Sequence, residues 1–178
     1  ISKKYLLYPA ATWPHKNHLR LLEALKEVQV NIRDITLVCT GNKTDYYSTI
    51  QEKIIELDLQ DSVKFLGIVP EEDLIGLYKN AELVVIPTLY EAGSGPLYEA
   101  MRYKAPVICA STTSLPDTIN DVNYIFNPKD VKQLSDLISK MLNDEIEKKL
   151  SMQNSEKRMK DLGKNDYFRS FIGVYKQF

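Results

Sequence analysis

The sequence predicts an α/β fold in which a doubly wound parallel sheet of about six strands carries helices on both faces. Short apolar runs rich in β-branched residues alternate along the chain with amphipathic segments of helical period, an alternation typical of parallel sheets. The chain has 178 residues, enough for one domain, and is 44% hydrophobic and 26% charged, a globular composition. The predicted strands are residues 5–8, 35–39, 63–66, 83–86, 107–110 and 124–126.

Predicted helices fill the intervals between these strands. In the first, from about residue 17 to 30, Leu19, Leu22 and Leu25 recur at helical spacing and form an apolar stripe. The others cover residues 45–57, 71–79, 96–103, a short segment opening near Leu115, and 131–141 with Asp130 as the N-cap. Beyond residue 144 the chain is polar and lysine-rich. Five aromatic residues then follow at near-helical spacing, which predicts core packing: Tyr167, Phe168, Phe171, Tyr175 and Phe178.

Net charge, hydropathy and cysteine usage indicate which partners and which cellular compartment to expect. A formal net charge of −1 gives no reason to expect nucleic acid or an anionic membrane as a partner. No apolar run approaches the roughly 20 residues that a spanning helix needs, so we expect membrane contact, if any, only through sequence outside this chain. Cys39 and Cys109 each end a predicted buried strand, which predicts inert core thiols and a cytoplasmic location. The chain begins with Ile1, and we interpret it as a fragment.

Residues 82–101 predict a strand, a tight loop and a helix in close succession. Pro87 ends the strand, residues 91–95 carry two glycines that permit positive φ, and Pro96 suits the start of a helix. Free amides and the helix dipole then converge on one point, where an anion such as phosphate is stabilised. Glu91 and Glu99 border that point, and carboxylates there accept hydrogen bonds from hydroxyls better than they tolerate phosphate.

Four loops are expected to share one cleft, because each follows a predicted strand. Ligands of doubly wound sheets bind outside the carboxyl ends of the strands, where the strand order reverses. The loops are residues 9–16, 40–42, 67–70 and 91–95.

A family resemblance follows from these residues. Two glutamates separated by seven residues, with a Gly/Ser-rich turn and Pro between them, stand among Gly67-Ile68-Val69-Pro70, Ala105-Pro106-Val107-Ile108 and Ser114-Leu115-Pro116-Asp117. This order resembles the retaining nucleotide-sugar glycosyltransferases of the GT-B fold, often called family 4 or glycosyl transferases group 1. The likeness covers nearly the whole chain but only one of the two domains of such enzymes. It implies that residues 1–178 are a single Rossmann-like, C-terminal, nucleotide-sugar-binding domain, with the N-terminal acceptor domain absent.

The resemblance also implies roles for particular residues. Glu91 would contact the hydroxyls of the donor sugar, Glu99 those of the ribose, and Lys16 would neutralise the leaving diphosphate. Gly41 would line the cleft. The backbone of Ile68, beside Gly67, would contact the base. The sugar and the diphosphate would be held by the loop and helix tip formed by Ala92, Gly93, Ser94, Gly95, Pro96 and Leu97. Glu91 and Lys16 would be the catalytic residues, and no metal or other cofactor is expected.

Ordinary structural interpretations remain for the same residues. A glutamate is commonly a surface carboxylate or a helix N-terminal acid, a lysine before a helix is normally solvated, and Gly41 and Gly67 suit plain turns. Trp13 either caps the cleft or covers the core, and we expect the second. His15 and His18 have no third ligand nearby, so a zinc site is not predicted.

One position departs from the family pattern. Where the family has Gly-Arg after the first strand, this chain has Ala10-Ala11. The arginine that contacts phosphate is therefore missing. We expect leaving-group stabilisation to be weaker, or to be shared with His15, His18 or the absent domain.

The predicted function is transfer of a sugar, with retention, from a UDP- or GDP-sugar to an acceptor hydroxyl, in bacterial surface polysaccharide or lipopolysaccharide synthesis. This chain alone would bind nucleotide and turn over little. Two alternatives stay open: a non-catalytic nucleotide-sugar binding module, suggested by Ala10-Ala11, and a GT-B sugar-nucleotide epimerase. An NAD-dependent oxidoreductase is disfavoured because no Gly-x-Gly-x-x-Gly follows the first strand.

Overall fold

The computed structural model describes residues 4–164, and a parallel sheet of six strands forms the centre of that region. The strands are β1 (Tyr5–Pro9), β2 (Thr36–Thr40), β3 (Val63–Phe65), β4 (Leu83–Ile86), β5 (Val107–Ala110) and β6 (Ile125–Phe126). They are ordered β3-β2-β1-β4-β5-β6, and every neighbouring pair is parallel. The predicted fold class is confirmed.

Helices cover both faces of the sheet. They are α1 (His18–Gln29), α2 (Tyr47–Glu56), α3 (Glu71–Asn80), α4 (Gly95–Arg102), α5 (Leu115–Ile119), α6 (Val131–Asn143) and α7 (Glu145–Lys164), with 3₁₀ turns at Pro14–Lys16 and Val122–Tyr124. On β1, the ring of Tyr8 lies 4.8 Å from that of His18 in α1, and the Tyr5 hydroxyl donates to the Leu77 carbonyl in α3. Positions 5 and 8 point to opposite faces of a strand, so α1 and α3 lie on opposite sides of the sheet.

The core follows from the buried strands. Every residue of β1, β2, β4 and β5 is buried, as expected of strands covered on both faces. Cys39 and Cys109 are fully buried and free, and burial raises the pKa of the Cys109 thiol to about 12. Both are core thiols, as predicted. The strands β4 and β5 have the predicted bounds, whereas the helix predicted for residues 96–103 begins one residue earlier, at Gly95.

The longest helix, α7, was not predicted, because its inward face is polar. Lys148, Ser151 and Ser155 recur at helical spacing and are 6%, 1% and 1% exposed. The Ser151 hydroxyl accepts a hydrogen bond from the Val107 amide at 3.2 Å, and Lys148 pairs with Glu82 at 2.6 Å. A helix that packs through hydrogen bonds and small side chains shows no apolar period in its sequence.

Two sequence predictions concern the C-terminal aromatic residues and membrane-spanning helices. The five aromatic positions from Tyr167 to Phe178 lie outside the described residues. Within residues 4–164, no helix combines the length and the apolar character that crossing a membrane requires.

The strand order places a reversal at the centre of the sheet. From β1 the chain proceeds outward to β2 and β3, and it then returns to the other side of β1 as β4 before continuing to β5 and β6. The order therefore reverses between β1 and β4. The loops after these two strands contain Lys16 and Glu91, so the fold brings both residues to the crevice where doubly wound sheets bind ligands.

Candidate functional site

The four loops predicted to share a cleft form one continuous surface at the carboxyl edge of the sheet. The Ala10 amide donates to the Thr40 carbonyl at 2.9 Å, which joins the loops after β1 and β2. The Gly41 amide donates to the Gly67 carbonyl at 2.7 Å, which joins the loops after β2 and β3. The loop after β4 is attached to the loop after β1 through the Leu89 amide. The loops therefore lie side by side in the order of their strands.

The backbone conformation requires glycine at two of the positions predicted to line the cleft. Gly41 has φ of 110°, and a Cβ there would lie 2.7 Å from the Ala10 carbonyl carbon and 2.8 Å from the Ala11 nitrogen. Gly67 has φ of 72° but open space around it. Gly41 is thus required by conformation and by packing, and Gly67 by conformation alone. Their contact with a donor stays a prediction.

Lys16 and Glu91 form an ion pair across the reversal point. Lys16 Nζ lies 2.5 Å from Glu91 Oε2, and the two side chains are only 17% and 15% exposed. The Lys16 carbonyl accepts a hydrogen bond from the Tyr8 hydroxyl at 2.8 Å, which ties this residue to β1. The sequence placed both residues near one anion site but did not predict their contact. Because a largely buried charge depends on its partner, a ligand that displaces either residue must replace the lost interaction.

The backbone of the Glu91 loop is held by the loop after β5. The Thr112 hydroxyl donates to the Leu89 carbonyl at 2.9 Å, and the Thr113 hydroxyl donates to the Glu91 carbonyl. Sequence reasoning did not identify these threonines as part of the site. Their position is set by the pairing of β4 with β5, which brings the two loops together.

The tip of α4 provides backbone donors, although fewer than predicted. Ser94 is the N-cap, and its hydroxyl accepts from the Leu97 amide at 3.2 Å. Pro96 has no amide proton. Within residues 4–164, the amides of residues 92–95 donate to no acceptor. The donors available to an anion at this tip are therefore these four consecutive amides, and the positive end of the helix dipole adds to them.

The two glycines of this loop do not use the positive φ that glycine permits. Neither Gly93 nor Gly95 has a positive φ. A Cβ at either position would meet no atom within 4 Å. The folded backbone therefore does not require glycine at these two positions, and the space beside them is open.

Glu99 lies in the second turn of α4 and is held by a residue that the sequence did not single out. The buried Tyr78 hydroxyl donates to Glu99 Oε2 at 2.7 Å. No hydrogen bond or ion pair between described residues joins Glu99 to the Lys16–Glu91 pair. The site therefore contains two carboxylates held by different groups, one by an ammonium and one by a phenol.

The remaining candidates divide between surface and core. Ile68 is 79% exposed in the loop after β3, and contact of its backbone with a base stays a prediction. Trp13 is 50% exposed, so the expectation that it covers the core is wrong.

His18, in contrast, is 2% exposed and lies between Tyr8 and Phe65, and neither ring nitrogen has a hydrogen-bond partner among the described residues. Burial, and then the charge of Lys16, lowers the pKa of His18 to about 4, so it is neutral and does not supply the missing phosphate cation.

The donor set at the cleft suits an anion flanked by hydroxyls. It consists of an ammonium group, four free amides and two carboxylates. Among residues 4–164, no three His, Cys, Asp or Glu side chains converge in a way that would hold a metal ion. A metal-independent reaction stays a prediction.

Comparison with known proteins identifies the family of this chain. The family described as glycosyl transferases group 1 matches residues 2–165. O-antigen chain mannosyltransferase B of Escherichia coli is 29% identical over 174 residues, which are 97% of this chain and 45% of the relative. O-antigen chain mannosyltransferase RfbU of Salmonella typhimurium is 30% identical over 152 residues, 80% of this chain and 42% of the relative. The chain thus spans less than half the length of these relatives.

A solved structure agrees with the fold. The Anabaena protein Alr3699/HepE, crystallised in complex with UDP and glucose, superposes with a TM-score of 0.84 at 20% identity. The match covers 97% of this chain and 48% of that protein. At this identity the likeness shows the fold alone.

Proposed function

The chain belongs to the glycosyl transferases group 1 family and has the fold of a GT-B C-terminal domain. On that premise, we propose that it binds the nucleoside diphosphate sugar of a retaining glycosyltransferase. The observation that carries the proposal is the Lys16–Glu91 ion pair at the strand-order reversal, beside the free amides of residues 92–95. A cation and backbone donors at one point suit a diphosphate, and the neighbouring carboxylates suit sugar hydroxyls.

Lys16 has the chemistry of a leaving-group stabiliser. When the bond between sugar and diphosphate breaks, negative charge grows on the phosphate oxygens, and a preplaced ammonium stabilises that charge. Lys16 is anchored through its carbonyl to Tyr8, so its backbone needs no rearrangement. When the donor binds, the diphosphate replaces Glu91 as the ion-pair partner of Lys16. Glu91 can then accept a hydrogen bond from the donor sugar.

Glu99 provides the second carboxylate for the ribose. Its Oε2 is engaged by Tyr78, and the residue remains partly exposed. A carboxylate with one oxygen still available accepts a hydrogen bond from a ribose hydroxyl.

The curated relatives extend the proposal to the sugar and the pathway. Both are named as mannosyltransferases of the O-antigen chain. We therefore propose a mannosyl donor and a role in surface polysaccharide assembly. Retention, a guanosine or uridine base, independence from metal and a cytoplasmic location stay predictions.

The acceptor side is proposed to lie outside this chain. The chain covers 45% and 42% of the two relatives, which leaves room for a second domain in the whole protein. Trp13, Ile68 and Tyr90 are 50%, 79% and 60% exposed on loops of the carboxyl edge, where such a domain would close the cleft. We expect the isolated chain to bind nucleotide and to transfer little or no sugar.

Titration calorimetry with GDP and UDP tests this function. Hydrogen bonds to charged groups contribute about 1.5–3 kcal/mol, so Lys16→Met should weaken nucleotide binding roughly ten- to hundred-fold. Lys149→Met makes the same chemical change on the exposed surface of α7 and should leave the affinity unchanged. No binding of either nucleotide by the unmodified chain, or equal affinity in the Lys16 variant, would refute the proposed function.

A second candidate is a nucleotide-sugar binding module without catalysis. Ala10 and Ala11 occupy the turn where the family carries Gly-Arg, and the backbone of both packs against Gly41. The turn therefore provides no second cation for the leaving group. Transfer of mannose by the whole protein, measured with GDP-mannose, separates the enzyme from the binding module.

A further inference from the structure

Tyr78 connects two helices at the candidate site through a single hydroxyl. The residue lies in α3 with 0% of its surface exposed. Its hydroxyl is 2.7 Å from Glu99 Oε2 and 3.3 Å from the Pro96 carbonyl oxygen, both in α4. A phenol has one proton, and the shorter bond to a charged acceptor is the stronger one. The proton is therefore donated to Glu99.

This contact leaves Glu99 with one fixed oxygen and one available oxygen. Within residues 4–164, Tyr78 is the donor to this carboxylate, and Oε1 accepts no hydrogen bond. The glutamate is partly exposed, whereas the phenol beneath it is buried. The carboxylate is thus held from below and open on the side that faces solvent.

The phenol keeps its proton at any working pH. Burial, together with the hydrogen bond to Glu99 and its negative charge, raises the pKa of Tyr78 well above its ordinary value. Tyr78 is therefore a permanent donor and not an acid or base. A permanent donor orients a carboxylate without competing for its charge.

We propose that Tyr78 is a positioning residue that holds Glu99 so that Oε1 accepts a hydrogen bond from a ribose hydroxyl, and that it thereby sets the preference of this site for nucleotides that carry that hydroxyl over forms that lack it. The inference rests on the proposed function and deepens it. A glutamate side chain that rotates freely must lose rotamer freedom when it binds, and the Tyr78 contact removes that cost before the ligand arrives.

Packing between α3 and α4 is the competing explanation of the same contact. The Tyr78 ring lies 5.6 Å from the ring of Tyr103, which follows α4. If packing were the whole role, loss of the hydroxyl would affect stability without changing which sugar is preferred. Tyr78→Phe retains the ring and removes the hydrogen bond, so it separates the two explanations.

The experiment measures binding of GDP, UDP and their 2′-deoxy and 3′-deoxy forms to the 178-residue chain by titration calorimetry. We expect the unmodified chain to prefer the ribonucleotide over one of its deoxy forms roughly ten- to hundred-fold, as a hydrogen bond to a charged group allows. Tyr78→Phe should reduce that preference to a few-fold, and Glu99→Gln should abolish it. The double variant should match Glu99→Gln, because the two residues act through one contact.

Tyr103→Phe is the matched control. It removes a hydroxyl from the neighbouring ring that makes no hydrogen bond to any described residue, and it should keep the full ribose preference. Tyr78→Phe is expected to fold, because water can solvate the partly exposed carboxylate that loses its partner. Far-UV circular dichroism and the urea midpoint check this.

The outcomes separate this inference from the proposed function. No nucleotide binding by the unmodified chain overturns both. Binding without any ribose preference overturns the inference and leaves the Lys16 site standing. A ribose preference that disappears in Glu99→Gln but persists in Tyr78→Phe overturns the positioning role alone, as does an equal loss of affinity for ribo and deoxy forms in Tyr78→Phe.

Discussion

Replacing Gly41 by alanine should unfold the carboxyl edge of the sheet more readily, for two reasons that the structure quantifies. The residue has φ of 110°, and forcing a side chain into such a conformation costs about 1–3 kcal/mol. The added Cβ would lie 2.7 and 2.9 Å from the Ala10 carbonyl carbon and oxygen, both of which are backbone atoms that cannot rotate away. Overpacking of this kind costs about 1–3 kcal/mol more. We expect a total loss of about 3 kcal/mol.

Urea unfolding followed by circular dichroism measures this loss. With an m-value of about 2 kcal/mol/M, the midpoint should fall by about 1.5 M. Gly93→Ala is the matched control, because a Cβ there meets no atom within 4 Å and φ is not positive. It should leave the midpoint unchanged and weaken GDP or UDP binding, if a ligand approaches this open backbone as proposed.

A change of less than about 0.5 kcal/mol in Gly41→Ala, which is the usual range of neutral surface substitutions, would refute the reasoning. It would mean that the loops after β1 and β2 separate without cost. The close approach of Gly41 to Ala10 would then have no part in holding the cleft together.

Two further predictions concern buried polar groups. The pKa of His18 is about 4 in the folded chain and near 6.5 in the unfolded chain, so the unfolded chain binds a proton at this imidazole more tightly. The free energy of unfolding should therefore fall by up to about 3 kcal/mol as the pH is lowered from 6.5 to 4. His18→Leu should remove that part of the acid sensitivity in urea titrations at each pH, whereas the exposed-site control His15→Leu should retain it. Ser151→Ala should cost about 1–2 kcal/mol because it strips the buried Val107 amide of its partner. Ser155→Ala, on the same buried face of α7, should be neutral or stabilising because that hydroxyl has no partner among the described residues, and equal losses for the two serines would contradict this account.

Local patterns were sufficient for most of the elements. The strands Leu83–Ile86 and Val107–Ala110 were predicted with their observed bounds. Such strands are buried on both faces, so a continuous run of apolar residues in the sequence marks where each one begins and ends. The helix Glu145–Lys164 was missed for the opposite reason, because its buried positions include Lys148 and Ser151. Those residues are stabilised by partners elsewhere in the chain, and no local pattern encodes such partners.

The candidate site shows the same division. Its loops and its two glutamates were predicted from spacing, since a strand, a tight turn and a helix N-terminus are local features. The hydrogen bonds of Tyr78 to Glu99 and of Thr113 to Glu91 span 21 and 22 residues, and neither partner was expected. The interpretation of His18 also changed, because only packing against the rings of β1 and β3 makes that residue part of the core.

The order of apolar runs, turns and helix starts along the chain was enough to establish a parallel α/β sheet with a candidate anion-binding loop at residues 91–95. Which side chains meet at that loop depended on the strand order, because the pairing of β1 with β4 brings Lys16 within 2.5 Å of Glu91, 75 residues away. Backbone periodicity is a short-range property, so the sequence alone determines it. Contact between distant charges requires the whole sheet to form, so it belongs to the tertiary structure.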